Sequence, residues 1–440
     1  MASKSLRCLA YALGLLSAGM GAAHQFRVRS PQGVWLALVK LMSGALAPYL
    51  AIAGLLSAVL GLLAWAPLAL AAGLFGAWSA ARYVREALSM PDMLAGAFGA
   101  DWRRRLSPAQ TERFAERRWT WRPPQPPEPH WRRDIAFYTI PGTGRVLRCD
   151  LWEPPVGTPP SGLAFVYFHG SGWHFGNKDF GTRPLFRHLA GQGHVIMDVD
   201  YRLCPEVQWR DMLADVKHAL AWIKTHAAEF GVDPKRVVAA GGSAGGHLAL
   251  LAAYTAGCRD LTPPDLVEAD LTVCGVASWY GPTDMNVYYT YADQLFGQAM
   301  PERNNAAQRQ MDLFKRMGFD LAAPAHWRPG MTVQENMMRA LFGGTPGEVP
   351  EEYRLASPIT HAGPGCPPTL LLQGEHDSIV SAEAVRALAD RLRGVGVPVV
   401  HVEYPCTEHA FDLILPQFSP AAQASWYETE RFLALLTAPA

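Results

Sequence analysis

The hydrophobic and polar positions divide this chain into two regimes. From Leu41 to Ala81 no residue carries a charge, and Leu, Ala and Gly dominate. A membrane span needs about 20 apolar residues, so the stretch predicts two helices joined by a minimal turn. Trp65-Ala66-Pro67 is the expected break. Soluble helices normally carry a polar stripe, and this stretch has none. Beyond about Arg133, short apolar runs alternate with amphipathic ones. Ala136 to Ile140 and Arg145 to Trp152 read as an antiparallel opening pair, and runs near Phe165, Val195, Val238, Val273, Leu371 and Val400 read as strands. Asp211 to Phe230 reads as a helix, because Met212, Val216, Leu220 and Ile223 recur at helical spacing. Such alternation predicts a doubly wound α/β sheet with a largely parallel core.

From Asp284 to about Pro350 the rhythm breaks, over a length too great for a plain loop. Tyr288, Tyr289, Tyr291, Phe296, Met300, Met311, Phe314 and Met317 make this segment an expected lid over an apolar pocket.

Charge sets the expected topology. Arg27, Arg29 and Lys40 precede the uncharged stretch, and Arg82, Arg85 and Arg103-Arg104-Arg105 follow it. By the positive-inside rule both flanks are expected on the cytoplasmic side, with Trp35, Trp65 and Trp78 near the bilayer interfaces. Lys4 and Arg7 ahead of the apolar run Leu9 to Ala23 admit two other readings. A cleaved signal peptide or an extra span would leave the globular region outside. Residues 89–133 read as a basic connector. Its arginines with Trp102, Trp119, Trp121 and Trp131 suit lipid headgroups, and the prolines from Pro123 to Pro129 suit a semi-rigid spacer. Asp101 to Arg118 equally suits a helix covering the globular region. The expected organisation is a membrane region at 1–88, this connector, and a globular region at 134–440 with a cap at about 284–350.

Candidate chemistry sits at strand ends. Gly241-Gly242-Ser243-Ala244-Gly245-Gly246 follows a β-branched run and precedes a helix-forming stretch. This is the strand–turn–helix setting of a G-x-S-x-G nucleophile elbow, although a glycine-rich turn can also simply pack or hold phosphate. A corner serine presents its Oγ clear of the backbone, and the helix it starts aims N–H groups at a developing oxyanion. Upstream, His169-Gly170-Ser171-Gly172-Trp173 follows an apolar strand and is similar to the HGGG oxyanion motif, with Ser171 in place of the middle glycine. The amides of Ser171, Gly172 and Ala244 are the expected oxyanion donors. A glycine-like backbone at Ser171 would require a positive φ, which serine adopts at a cost. Downstream, Asp377 and His409 each lie just past a strand, in the order Ser, Asp, His. Ser243 is the expected nucleophile, His409 the base and Asp377 its orienting acid, with Glu375 and Asp412 as rival carboxylates.

Together these segments resemble the hormone-sensitive-lipase-like, bacterial carboxylesterase branch of the α/β-hydrolases, from about Arg133 to the C-terminus. Asp200-Tyr201-Arg202-Leu203-Cys204-Pro205-Glu206 is similar to that family's DYRLxPE stretch. Gly231-Val232-Asp233-Pro234-Lys235-Arg236, Tyr280-Gly281-Pro282-Thr283-Asp284 and Ser357-Pro358-Ile359-Thr360 match further family segments. Gly242 departs from the Asp that many members carry before the nucleophile. The Trp173, Gly176 and Lys178 pattern resembles feruloyl-esterase-like and formamidase-like members. The resemblance implies a serine esterase acting on short-to-medium acyl esters, with no cofactor and no metal, and the uncharged stretch adds an expected membrane anchor. Its rivals are an aryl-formamidase or amidase, and a catalytically silent binding protein on the same fold.

Composition narrows partners. Lysine plus arginine and aspartate plus glutamate number 39 each, and no motif for nucleic acid is present, so the expected partners are an ester substrate and membrane lipid. Seven scattered cysteines without CxxC spacing argue against a disulfide framework or a zinc site.

Overall fold

The computed structural model describes residues 4–30, 33–123, 125–297, 327–328 and 330–438. Three helices open it: α1 (Lys4–Ala23), α2 (Val34–Leu63) and α3 (Pro67–Leu88). The break between α2 and α3 falls at Ala64 to Ala66, and Pro67 stands at the start of α3, where its missing N–H costs nothing. A Cβ on Gly54 would lie 2.6 Å from Gly73 O, and one on Gly73 would lie 2.5 Å from Gly54 O. The two backbones therefore meet only because neither residue has a side chain. Hydroxyls complete the packing with α1: Ser17 Oγ donates to Leu50 O at 2.9 Å, and Ser57 Oγ to Ala10 O at 2.7 Å. The outer surface is apolar, with Leu15, Leu16, Leu55, Leu56, Leu62 and Leu68 exposed. Among the described residues, the helices long and apolar enough to cross a membrane are α1 and α2, whereas the uncharged stretch predicted α2 and α3. The difference arises because α3 carries Arg82, Arg85 and Glu86 in its last turns.

The connector is not a free spacer. Leu94, on α4 (Met93–Phe98), and Trp102 are buried in the core of the globular region. The helical turn α5 (Pro108–Thr111) places Gln110 within hydrogen-bond reach of Ala434 O and Thr437 Oγ1. Arg118 pairs with the buried Glu428 at 2.8 Å, and Pro126 O accepts from Arg187. Trp102, Trp119, Arg113 and Arg118 contact the globular region, a contact that composition alone does not distinguish from a lipid surface.

The globular region is built on one eight-stranded sheet. Its strands are β1 (His130–Thr139), β2 (Val146–Glu153), β3 (Ala164–Phe168), β4 (Val195–Asp200), β5 (Val237–Gly242), β6 (Gly275–Trp279), β7 (Thr369–Gly374) and β8 (Val399–Tyr404). Their order is β1-β2-β4-β3-β5-β6-β7-β8. The pairs β1–β2 and β2–β4 are antiparallel and the rest are parallel. This is the expected doubly wound α/β-hydrolase sheet, with β6 starting at Gly275 rather than near Val273. On one face pack α7 (Trp209–Thr225) and α8 (Ala244–Tyr254); on the other face packs α6 (Arg183–Gly191). The predicted helix at Asp211 to Phe230 is α7 followed by a separate 3₁₀ turn at Ala227–Phe230. Between β6 and β7 stand α9 (Met285–Phe296) and α10 (Val333–Phe342), the described parts of the expected cap. Met300, Met311, Phe314 and Met317 lie outside the described residues.

Candidate active site

Ser243 stands between the end of β5 and the start of α8 with φ 53° and ψ −120°. A non-glycine residue holds such a backbone only where its surroundings over-determine it, at a cost of about 1–3 kcal/mol. Here Ser243 N–H donates to Trp279 O at 2.8 Å, and Ser243 O accepts from His247 N at 3.0 Å. The corner is also crowded against β3, since a Cβ on Gly245 would lie 1.9 Å from Phe168 O. A side chain at Gly242 would meet the Tyr167 hydroxyl at 3.0 Å and the Tyr280 hydroxyl at 3.4 Å. Two tyrosines thus occupy the space beside the position where many members carry Asp.

His409 and Asp377 reach this serine from loops after β8 and β7. His409 Nδ1 donates to Asp377 Oδ2 at 2.8 Å, which leaves Nε2 to accept from Ser243 Oγ at 2.9 Å. Asp377 also accepts from Gln373 Nε2 at 2.9 Å and from the amides of Ile379 and Val380 at 2.8 Å each. Four donors fix that carboxylate. The rival carboxylates are engaged elsewhere. Glu375 pairs with Arg27 and accepts from Cys406 N, and Asp412 accepts from the Tyr280 hydroxyl. Burial pushes Asp412 up to about 6.

The loop after β3 lies against the serine. A Cβ on Gly170 would come within 3.0 Å of Gly242 O and 3.3 Å of Ser243 Cβ. Ser171 adopts φ 82°, Gly172 62° and Trp173 64°, so the substituted serine takes the glycine-like conformation. The amides of Ser171 and Gly172 donate to no backbone carbonyl among the described residues. Ala244, as the first residue of α8, has no intrahelical acceptor for its amide. Among the described residues, these three amides have no hydrogen-bond acceptor of the protein. His169 is structural: its Nδ1 bonds Gly170 O at 2.9 Å, its ring stacks on Tyr201 at 4.5 Å, and burial pushes it down to about 4. Trp173 Nε1 donates to His247 Nδ1 at 3.3 Å, and His247 Nε2 donates to Ala356 O at 2.7 Å. Lys178 points away, to Asp134 and Asp150.

Described residues of α9 and α10 pack on this loop and on Asp377. Tyr288 packs edge-on against Trp173 at 5.4 Å, and the Tyr291 hydroxyl donates to Asp377 O at 2.7 Å. A Cβ on Gly172 would lie 2.7 Å from Met337 Cε, which puts this methionine at the loop after β3. Tyr289 packs on Tyr353 instead, away from this loop.

Sequence reasoning missed Met337, Gln373, Lys40 and Glu408. Lys40 reads as a flanking charge, yet its ammonium is buried beside Glu408. Its one signal was a lone charge on a strongly apolar helix. Among the described residues, Glu375, His376 and Cys406 bring potential metal-ligand atoms within 4.8 Å of one another. Arg27 already holds Glu375 and Lys40 lies on His376 Nδ1, so two of the three residues already meet cations of the protein.

Comparison with known proteins agrees with this architecture. The BD-FAE family matches residues 149–316, and the prolyl oligopeptidase family matches residues 303–434. A Mycobacterium tuberculosis protein named Probable carboxylic ester hydrolase LipM is 34% identical over 296 residues, covering 66% of this chain and 58% of LipM. The chain thus spans little more than half of that relative. Carboxylesterase NlhH of the same species is 30% identical over 259 residues, covering 58% of this chain and 69% of NlhH. A Thermogutta terrifontis esterase with propionate bound is 25% identical, covering 71% of this chain and 95% of that one, with a TM-score of 0.49. With its elbow, its loop order and a relative matched over most of that relative's length, this chain belongs to the hormone-sensitive-lipase-like carboxylesterase branch of the α/β-hydrolases.

Proposed function

We propose that this protein is a membrane-anchored serine carboxylesterase that hydrolyses short-to-medium acyl esters through an acyl-enzyme. The observation that carries the reading is the unbroken hydrogen-bonded chain Ser243, His409, Asp377 at the C-terminal edge of the sheet. His409 Nε2 takes the hydroxyl proton as Ser243 Oγ bonds to the ester carbon, and the carbonyl electron pair moves to oxygen. Asp377 holds the imidazolium and stays ionised. The amides of Ser171, Gly172 and Ala244 stabilise the oxyanion, where each such donor is worth about 100- to 1,000-fold in rate. The carbonyl re-forms, the bond to the alcohol breaks, and the alcohol leaves with the proton held by His409. Water then repeats the sequence on the acyl-serine and releases the acid.

The names of the relatives support esters as the substrate class. Met337 and Tyr288, packed on the oxyanion loop, support a bounded acyl pocket. For the anchor, the support is the apolar outer surface of α1 to α3. Arg27, Arg29, Lys40, Arg82 and Arg85 all lie toward the end of the bundle that meets the hydrolase, which favours a cytoplasmic hydrolase. The hydroxyl contacts of Ser17 and Ser57 favour an α1 retained in the protein. The test is labelling by a fluorophosphonate probe alongside hydrolysis of p-nitrophenyl butyrate by the full chain. Both are expected for the wild type and both are expected to vanish in Ser243→Ala. Ester turnover that survives Ser243→Ala undiminished would refute the proposal.

A further inference from the structure

Lys40 stands on α2 where the helix leaves the uncharged stretch and meets the hydrolase. Its side chain is 1% exposed, and Nζ lies 2.9 Å from Glu408 Oε1 and 3.3 Å from His376 Nδ1. Glu408 is equally buried, and its other oxygen accepts from Ser378 N at 3.1 Å and Ser378 Oγ at 2.9 Å. The chain positions give these contacts their meaning. Glu408 immediately precedes His409, and Ser378 immediately follows Asp377. One carboxylate therefore joins the loop that carries the base to the loop that carries the acid, and one ammonium fastens both to a helix of the N-terminal bundle. Two neighbouring contacts repeat the arrangement: Arg27 donates to Glu375 at 2.8 Å, and the Tyr83 hydroxyl lies 3.1 Å from Thr407 Oγ1.

An ion pair this deeply buried is a weak source of stability, because desolvating both charges rivals their attraction. Its place between the two loops fits a geometric role better. A general base must sit within about 0.5 Å of its productive position, and a 1 Å misplacement can cost about 100-fold in rate.

We infer that Lys40 is a positioning residue: through Glu408 and Ser378, the N-terminal bundle holds His409 and Asp377 in line with Ser243. The inference rests on the serine-hydrolase reading of those three residues. It makes the bundle a part of the active site as well as an anchor.

The test compares wild type with the Lys40→Met/Glu408→Gln double variant, as full chains in detergent. Lys40→Met alone strands a buried carboxylate, whereas the double variant keeps the site neutral and tests position without that defect. Active sites are titrated with a fluorophosphonate, and kcat and KM for p-nitrophenyl butyrate are expressed per titrated serine. The double variant is expected to show wild-type amounts of titratable serine, a kcat lower by about tenfold or more, and a KM changed less than about twofold. Ser378→Ala, which removes only the hydroxyl contact to Glu408, is a milder variant expected to lower kcat about two- to fivefold in the same pattern. Wild-type kcat per titrated site in either variant overturns the inference and leaves the ion pair a packing contact. A wild type that neither turns over ester nor labels is a separate failure, that of the hydrolase reading itself.

Discussion

Tyr280 donates its hydroxyl to Asp412 with both side chains buried, and the tyrosine ring lies 4.5 Å from His409. Tyr280 lies beside Gly242, and its hydroxyl holds the Asp412 carboxyl away from the Ser243, His409, Asp377 chain. Burial raises Asp412 from 3.8 to about 6, so the folded state binds its proton more tightly than the unfolded chain does. The stabilising contribution is therefore complete below about pH 4 and is lost as pH rises through about 6. That range corresponds to about 3 kcal/mol. Asp412→Asn cannot ionise, so its melting temperature should gain on the wild type between pH 4.5 and pH 7.5. Thermal unfolding of the full chain in detergent measures this, and a pH-independent difference would contradict it.

The same arrangement separates the three candidate acids by their effect on turnover. Of the three, Asp377 is the one that touches His409 Nδ1 among the described residues. Asp377→Asn should lower kcat by about four orders of magnitude, since it favours the wrong imidazole tautomer. Asp412→Asn and Glu375→Gln should each stay within about tenfold of wild type, because neither side chain bonds the imidazole. Steady-state kinetics on p-nitrophenyl butyrate checks the ranking, and a severe Asp412→Asn defect with an active Asp377→Asn would reverse the assignment.

Met337 supplies a test of the acyl pocket. Its methyl lies beside Gly172, so a bulkier side chain should shorten the chain that fits. Each methylene that finds a place is worth about 0.8 kcal/mol, until the floor is reached. Met337→Phe should leave kcat/KM on p-nitrophenyl acetate within about threefold and reduce it on the octanoate by about tenfold or more, since two lost methylenes already amount to that. Parallel losses on both esters would place Met337 outside the acyl pocket.

The bundle makes a fractionation prediction. The full chain should stay with membranes through carbonate and high-salt washes, and a reporter at the C-terminus should register the cytoplasm. Release by carbonate would contradict the anchor, and a reporter signal from the outer side would reverse the topology. Truncation at Trp131 is expected to yield an unstable hydrolase, because Leu94 and Trp102 belong to its core. A stable, active fragment from that position would show the connector to be dispensable.

The elbow and the succession of strands along the chain were legible in the sequence because each is a local pattern, whereas the order of the strands in the sheet was not. Glycines flank Ser243 where backbones crowd, and apolar runs recur at strand length. The choice among Asp377, Asp412 and Glu375 rested on spacing alone, and only the loops show that Tyr280 and Arg27 occupy the other two. Lys40 lies 368 residues from Glu408, so no window of sequence joins them. Its charge followed the pattern of a cytoplasmic flank and hid a second partner. The connector misled for a related reason: arginine and tryptophan suit a lipid surface and a protein surface alike, and burial of Trp102 depends on contacts far along the chain.

The central claim is an acyl-enzyme on Ser243. Rapid mixing of the full chain with p-nitrophenyl butyrate, followed by acid quench and peptide mass analysis, tests it directly. A butyryl adduct is expected on the peptide containing Ser243, with a nitrophenol burst up to the stoichiometry of titratable serine wherever deacylation is the slower step. Both are expected to be lost in Ser243→Ala. Ester turnover by the wild type with the adduct on another residue, or with activity retained in Ser243→Ala, would contradict the central claim.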